Sequence, residues 1–127
     1  MMSLVNKTLE AYEKHGSIIV GVDFDDTVFA SDMSDQENMA RCSLVADLLR
    51  ILKSNYSVII CMFSVADKQT LRYKWWIMRQ IGLQPDYVNE SPVKHWGDCS
   101  KPYFNIYLDD KSGLNEMIEV LKELNNK

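Results

Sequence analysis

The fold is decided by residues 18–28, IIVGVDFDDTV, in which apolar and small residues lead directly into a group of carboxylates. The continuous apolar run is typical of a buried strand in the centre of a parallel sheet. Asp23, Asp25 and Asp26 then crowd negative charge where that strand ends. Carboxyl groups this close resist ionising together. The stretch therefore predicts that a positive group is bound there, and a divalent cation is the best candidate.

Length and composition predict a single globular domain over residues 1–127. The chain has 127 residues, of which 46% are hydrophobic and 25% charged, as in ordinary globular proteins. No apolar run approaches the roughly 20 residues that span a membrane, and the N-terminus has no secretory pattern. We therefore expect a cytoplasmic protein without a membrane partner. A net charge of −4 argues against a broad electrostatic footprint for nucleic acid and makes such a partner the less favoured one, but it leaves a local basic rim open.

The cysteines favour reduced thiols over a zinc site or a disulfide framework. Cys42, Cys61 and Cys99 are odd in number, lie far apart and form no CxxC pair. Structural zinc sites and disulfide scaffolds usually show paired, closely spaced cysteines. The cysteines are accordingly not expected to carry the chemistry of this protein.

Hydrophobic periodicity divides the chain into alternating helices and strands. Helices are predicted over 3–15, 37–53, 67–81 and 113–125, and strands over 17–23, 57–63, 85–89 and 103–108. Residues 28–36 and 90–101 are predicted loops. This alternation predicts an α/β, three-layer, Rossmann-like fold with a mainly parallel central sheet and helices on both faces.

Polar side chains follow three of the predicted strands. In a doubly wound sheet, ligands bind outside the carboxyl ends of the strands, which share one edge. The residues expected at that edge are Asp23 and Asp25 after the first strand, Ser64 after the second, and Asp109 and Asp110 after the fourth. Lys101 lies just before the fourth strand. Several carboxylates with a hydroxyl and an amine predict a Mg²⁺ site with a phosphate beside it.

Each residue type has a role in phosphoryl transfer. A carboxylate can attack phosphorus and form an aspartyl-phosphate, and a second carboxyl can protonate the leaving oxygen and then activate water. A divalent cation offsets the repulsion between nucleophile and phosphate. A hydroxyl and an ammonium can hold the phosphoryl oxygens.

With these motifs in this order, the sequence resembles the haloacid dehalogenase (HAD) superfamily of phosphatases. Residues 23–27, DFDDT, match its first motif, DxDx(T/V), and Ser64 after VIICMF matches its second. Lys101 matches the third motif, and the pair Asp109 and Asp110 matches the fourth. Residues 101–110, KPYFNIYLDD, are similar to the ending of small bacterial and phage-type members.

The resemblance implies a Mg²⁺-dependent phosphatase that hydrolyses a phosphomonoester. It implies Asp23 as nucleophile and metal ligand, and Asp25 as general acid and base with its backbone carbonyl on the metal. Ser64 and Lys101 would hold the phosphate. Asp109 would complete the metal site, with Asp110 as a ligand through water or a partner of the ligands.

Several points stay open in the comparison with that family. Relatives often carry an arginine where this chain has Ala66, and Lys94 competes with Lys101 as the phosphate lysine. Asn89 matches an asparagine of relatives without an evident role. Residues 28–36 are too few for a cap domain, so the chain resembles a capless member with an open site. The phosphorylated substrate could be small or large, and a weakly catalytic phosphate- or partner-binding module is the alternative.

The helix predicted over 67–81 is unusually aromatic. Tyr73, Trp75 and Trp76 could form a stacking platform for nucleic acid, but packing in the core is the preferred interpretation. The same helix could also carry a subunit contact in a homo-oligomer.

Overall fold

The computed structural model describes residues 2–92 and 103–127. Within them the elements follow the predicted order. They are α1 (Leu4–His15), β1 (Ile18–Asp23), α2 (Gln36–Asn55), β2 (Val58–Phe63), α3 (Lys68–Gln80), β3 (Tyr87–Val88), β4 (Ile106–Leu108) and α4 (Leu114–Asn125).

Local chemistry sets the helix starts. Ser3, Asp35 and Asp67 are the N-caps of α1, α2 and α3, and each side chain accepts a hydrogen bond from a backbone N–H in the first turn. These bonds satisfy donors that have no partner within the helix. At the other end of α1, Gly16 has φ 79°, a left-handed conformation that glycine adopts without steric cost. The Asp67 cap confirms the start predicted for the third helix.

The four strands form one parallel sheet in the order β3-β2-β1-β4. β1 is central, and β2 is aligned with it from Ile18 beside Val58 to Asp23 beside Phe63. An all-parallel sheet flanked by helices confirms the predicted α/β class and is compatible with a Rossmann-like fold.

A side-chain oxygen continues the hydrogen bonding of the sheet just before each of the two short strands, β3 and β4. The Asp86 carboxylate accepts a hydrogen bond from the Ile60 N–H at 2.8 Å, just before β3. The Asn105 side-chain carbonyl likewise accepts from the Ile19 N–H at 2.7 Å, just before β4. Side-chain oxygens thus satisfy backbone donors of the central strands where the neighbouring strand has not yet begun to pair.

The main core lies on one face of the sheet. Val20, Ile60 and Ile106 occupy matching register positions and therefore share that face. They belong to one cluster of buried apolar residues, to which every helix contributes, for example through Val5, Leu49, Met78 and Leu121. Ile19 and Cys61 are buried on the opposite face and lie outside this cluster. The prediction of helices on both faces is thus met by the described residues on one face only.

Aromatic rings occupy the opposite face beside the central strand. Phe104 lies edge-on to Phe63 with ring centroids 5.3 Å apart, and it stacks on Tyr107 at 5.5 Å. A Cβ atom at Gly21 would lie 2.6 Å from Tyr107 Cδ1 and 3.0 Å from Phe104 Cδ1. Only a residue without a side chain leaves room for these rings.

Two further properties bear on function. Among residues 2–92 and 103–127, no helix has both the length and the apolar character that crossing a membrane requires. Cys42 and Cys61 are free and buried, and burial raises the pKa of the Cys61 thiol to about 11. That thiol is therefore protonated at neutral pH. Cys99 lies outside the described residues.

We expect Gly21→Ala to destabilise the protein by about 1–3 kcal/mol, the usual cost of overpacking a core. The added methyl group would displace the Tyr107 and Phe104 rings. Urea unfolding of the wild type, Gly21→Ala, Tyr107→Ala and the double variant measures the effect. The cost of Gly21→Ala should shrink in the Tyr107→Ala background. An equal cost in both backgrounds would contradict a clash with that ring.

Candidate functional site

The parallel register brings carboxylates of two strands together at one edge of the sheet. Val22 of β1 lies beside Leu108 of β4, so the next residues, Asp23 and Asp109, leave the two strands side by side. Asp110 follows directly. The carboxylate oxygens of these three residues lie within 4.8 Å of one another, close enough to hold one metal ion. The sequence predicted this convergence from the strand order.

The cluster resists full ionisation. Burial raises the pKa of Asp23 from an ordinary 3.8 to about 6, and repulsion from Asp109, Asp110 and Asp25 adds to this shift. Burial also raises the pKa of Asp110, helped by its interaction with the Asp109 carboxyl. These are the shifts expected when like charges share a partly buried site.

Asp110 is positioned by the first motif. Its backbone N–H donates a hydrogen bond to Thr27 Oγ1 at 3.1 Å, and the Thr27 side chain is fully buried. The Asp109 carboxylate accepts a hydrogen bond from the Lys111 N–H at 3.1 Å. The threonine of the DFDDT stretch thus acts in this chain as a bridge between the two acidic strand ends.

Asp26 shapes the loop that follows the first motif. Its φ is 58°, and its carboxylate accepts hydrogen bonds from the Ser31 backbone and hydroxyl and from the Asn38 side chain. The backbone bond from Ser31 is the main reason that the pKa of Asp26 is lowered. This residue therefore ties the loop to α2, and it stands apart from the metal-ligating group.

Ser64 and Asn89 form the adjacent wall. The Ser64 backbone N–H donates to Asn89 Oδ1 at 2.9 Å, and the Asn89 N–H donates to the Met62 carbonyl at 2.8 Å. Asn89 has φ 56°, a region that asparagine tolerates better than most residues. The role that the sequence left open for Asn89 is thus to fix the end of β2, where Ser64 begins.

Lys74 of α3 links Ser64, predicted to bind phosphate, to Asp25, predicted to be the general acid and base. Its ammonium donates to Ser64 Oγ at 2.6 Å and to Asp25 Oδ2 at 2.9 Å, and it lies 5.3 Å from the centroid of the Phe24 ring. The Lys74 side chain is 13% exposed, against 52% for that of Asp25. A partly buried cation therefore joins the Ser64 hydroxyl to the Asp25 carboxylate.

Sequence reasoning missed Lys74. Lys101 and its competitor Lys94 both lie outside the described residues, so the predicted phosphate lysine stays a prediction. A signal for Lys74 did exist. It stands ten positions after Ser64, two turns into the following helix and one turn before the buried Met78, on the side of the helix that faces the sheet.

An open cavity of about 520 Å³ gives access to the site. Asp23 and Ser64 line it together with Phe63 and Tyr107 of the aromatic face, and Val65, Ala66 and Asn89 complete the lining. Ala66, whose small side chain stands where the sequence comparison noted an arginine in the HAD superfamily, thus lies on the cavity wall.

The donor set suits a hard divalent cation. Three carboxylates from adjacent strand ends supply the oxygen ligands that Mg²⁺ and Ca²⁺ prefer, and the raised pKa values of Asp23 and Asp110 mark charge that a cation would relieve. No described thiol or imidazole belongs to the group, which argues against zinc. The cluster can hold a metal, and its geometry does not choose among oxygen-seeking cations.

Comparisons of this chain with protein-family models, with curated proteins and with solved structures find no match. Its function is therefore inferred from the geometry and chemistry of the site.

We expect the metal-free protein to lose stability as the pH rises from about 4 to about 7. The raised pKa of Asp23 means that the folded state holds its proton where the unfolded state has released it. Asp23→Asn should remove the part of this loss that Asp23 causes and stabilise the metal-free protein at pH 7 by about 1–2 kcal/mol, allowing for solvent screening. Urea unfolding in chelator at several pH values measures both effects.

Glu123→Gln, an exposed carboxyl on α4, is the matched control and should leave the pH profile unchanged. Added Mg²⁺ should stabilise the wild type more than Asp23→Asn, because a ligand stabilises the state that binds it. Identical pH profiles of unfolding free energy for the wild type and Asp23→Asn would contradict the raised pKa of Asp23.

Proposed function

We propose that this protein is a metal-dependent phosphatase of the HAD type, which hydrolyses a phosphomonoester through an aspartyl-phosphate on Asp23. The proposal rests above all on one observation. Asp23 belongs to a cluster of three carboxylates with Asp109 and Asp110, and it lines one cavity with Ser64, whose hydroxyl accepts a hydrogen bond from the Lys74 ammonium. A cation site and an anion site side by side suit a metal-bound phosphate.

The first step is assigned to Asp23. An oxygen of its carboxylate attacks phosphorus while the bond from phosphorus to the ester oxygen breaks. The departing oxygen takes a proton from the carboxyl of Asp25. The products of this step are the alcohol and a phosphoryl group on Asp23.

The second step returns the protein to its starting state. The Asp25 carboxylate removes a proton from water, and the water oxygen attacks the phosphoryl group. The bond between phosphorus and Asp23 breaks, and inorganic phosphate leaves. Mg²⁺ is the cation we propose for the site, and when bound it would offset the repulsion between the carboxylates and the phosphate.

Lys74 is assigned to the phosphate together with Ser64. A phosphoryl group entering beside Ser64 would meet the Lys74 ammonium, which already touches the Ser64 hydroxyl at 2.6 Å. The ammonium would then exchange Asp25 for a phosphoryl oxygen. This exchange would free the Asp25 carboxyl for proton transfer at the moment when substrate is bound.

The test is the hydrolysis of nitrophenyl phosphate with Mg²⁺ and with chelator. We expect metal-dependent turnover by the wild type and none by Asp23→Asn. Asp25→Asn should release about one equivalent of nitrophenolate quickly and then turn over at least about a hundredfold more slowly, because this leaving group needs no proton but the second step needs a base. Mass spectrometry of the quenched Asp25→Asn protein should find one added phosphoryl group.

Full activity of Asp23→Asn would overturn the proposed nucleophile, and undiminished activity in chelator would overturn the metal requirement. If the wild type binds Mg²⁺ and inorganic phosphate in calorimetry but turns over no phosphomonoester, the binding module becomes the better interpretation. The exposure of Asp25 and the absence of an arginine at Ala66 would then be features of a site built to hold phosphate.

We expect Lys74→Met to lower kcat/KM for nitrophenyl phosphate by about a hundredfold or more, the usual effect of removing a group that stabilises charge in the transition state. Lys74→Arg should retain part of the activity, since it keeps the charge. Lys101→Met and Lys94→Met are the matched comparisons. A larger loss from Lys101→Met than from Lys74→Met would return the phosphate role to the lysine that the sequence predicted.

A further inference from the structure

Helix α3 carries an unusual concentration of positive charge. Its sequence, KQTLRYKWWIMRQ, contains four cations, Lys68, Arg72, Lys74 and Arg79, and no carboxylate. The chain as a whole has a net charge of −4, so the residues outside α3 together carry a net charge of −8. A helix with a single sign of charge in an acidic protein marks one face as the place where an anion would be attracted.

Two large aromatic rings are exposed on the same helix. Tyr73 is 60% exposed and Trp76 52%, and their rings stack with centroids 6.4 Å apart and an interplanar angle of 16°. The prediction that the aromatic residues of this helix pack in the core is thus wrong for both. It holds for Trp75, which is partly buried against the core.

The cations and the rings form one continuous surface, which we call the α3 strip: Lys68, Arg72, Tyr73, Trp76 and Arg79. Lys68, Arg72 and Trp76 follow one another at intervals of four and therefore lie in line on the helix. Tyr73 lies beside Trp76, and Arg79 lies 5.8 Å from the centroid of the Trp75 ring. Among the described residues, none of the strip's cations forms an ion pair.

A groove borders the strip at Lys68 and Arg72. Its volume is about 310 Å³. Leu71, Trp75 and Val88 form its apolar part, and Lys68 and Arg72 stand at its polar side. An apolar slot bordered by two cations suits a flat apolar ring that carries a phosphate.

The strip and the proposed phosphate site share one helix. α3 begins four residues after Ser64, and Lys74 projects from it to Ser64 and Asp25. Tyr73, the residue before Lys74, projects to solvent. A chain-like ligand bound along the strip could therefore reach the site with one end.

A second copy of this chain fits the strip poorly. In a twofold-symmetric dimer the same patch meets itself, so the cations of one α3 would face those of the other. A polyanion with flat apolar groups matches both the cations and the exposed aromatic rings of the strip. Nucleobases stack on exposed aromatic rings while their phosphates contact arginine and lysine.

We propose that the α3 strip binds single-stranded nucleic acid, and that the terminal phosphate of such a strand is the substrate of the neighbouring site. The second half rests on the proposed phosphatase function, whereas the first does not. This reverses the expectation drawn from net charge, because the overall charge conceals a basic helix.

The binding test uses fluorescence anisotropy of a labelled, unphosphorylated oligothymidylate with the Asp23→Asn protein. Tyr73→Ala and Trp76→Ala should each weaken binding by about tenfold, within the range known for loss of one base stack. Lys68→Glu with Arg72→Glu should weaken binding and lower the dependence of log affinity on log salt by about 1.4, the loss of two phosphate contacts.

The matched control is Lys7→Glu with Lys14→Glu, two exposed lysines on α1. It changes the net charge by the same amount but should leave affinity within about twofold, since these lysines lie off the strip. Equal losses from the two charge-reversal variants would overturn the proposal, as would no measurable binding. Competition by poly-glutamate as effective as that by oligothymidylate would also overturn it, and would point to an acidic protein partner.

The substrate test compares an oligonucleotide carrying a terminal phosphate, tried at each end, with nitrophenyl phosphate. Trp76→Ala should lower kcat/KM about tenfold for the oligonucleotide and leave nitrophenyl phosphate unchanged. Equal effects on both substrates would overturn the substrate assignment. Oligothymidylate binding without any phosphatase activity would overturn the proposed phosphatase function but support nucleic-acid binding by the α3 strip. Hydrolysis of nitrophenyl phosphate without oligonucleotide binding would support the phosphatase function and overturn nucleic-acid binding by the strip.

Discussion

Parallel pairing of β1 with β4 places Asp23 and Asp109 side by side, where their carboxylates repel each other. The rest of the site depends on this repulsion. Buried strands fix the register through Val20, Val22 and their partners, so the carboxylates cannot move apart without slipping the sheet. Thr27 holds Asp110 in the same group through its backbone N–H. The free energy of the hydrophobic core thus holds together like charges that would otherwise separate, as is common where a fold prepares a cation site.

The opposite side of the site is built by different means. Asn89 fixes the end of β2 through the backbone of Ser64, and Lys74 joins the Ser64 hydroxyl to Asp25. Phe24, fully buried beneath the loop, lies against the ammonium. The cavity is thus lined by Asp23 of the carboxylate cluster and by Ser64, which accepts a hydrogen bond from the Lys74 ammonium. Such a division of charge suits a ligand that is an anion and brings, or meets, a cation.

Helix α3 connects this site to the surface. Its inner side packs Ile77 and Met78 into the core and directs Lys74 to the site. Its outer side presents exposed aromatic rings and cations. One face of the sheet carries the described helices and the other carries the aromatic rings next to Gly21. The cavity beside Asp23 is lined from that aromatic face by Phe63 and Tyr107. Flat aromatic surfaces are therefore present both on the outer side of α3 and on the aromatic face of the sheet.

The sequence alone determined the order of elements, the parallel sheet and the acidic edge, because these follow from apolar periodicity, capping residues and the rule that parallel strands end on one side. It could also identify Ser64 as the residue that follows the second strand. Only the tertiary structure decided which lysine meets Ser64, what Asn89 does and which rings of α3 are exposed. These depend on the rotation of a helix about its axis and on contacts between residues far apart in the chain. Local pattern constrains such packing too weakly to fix it.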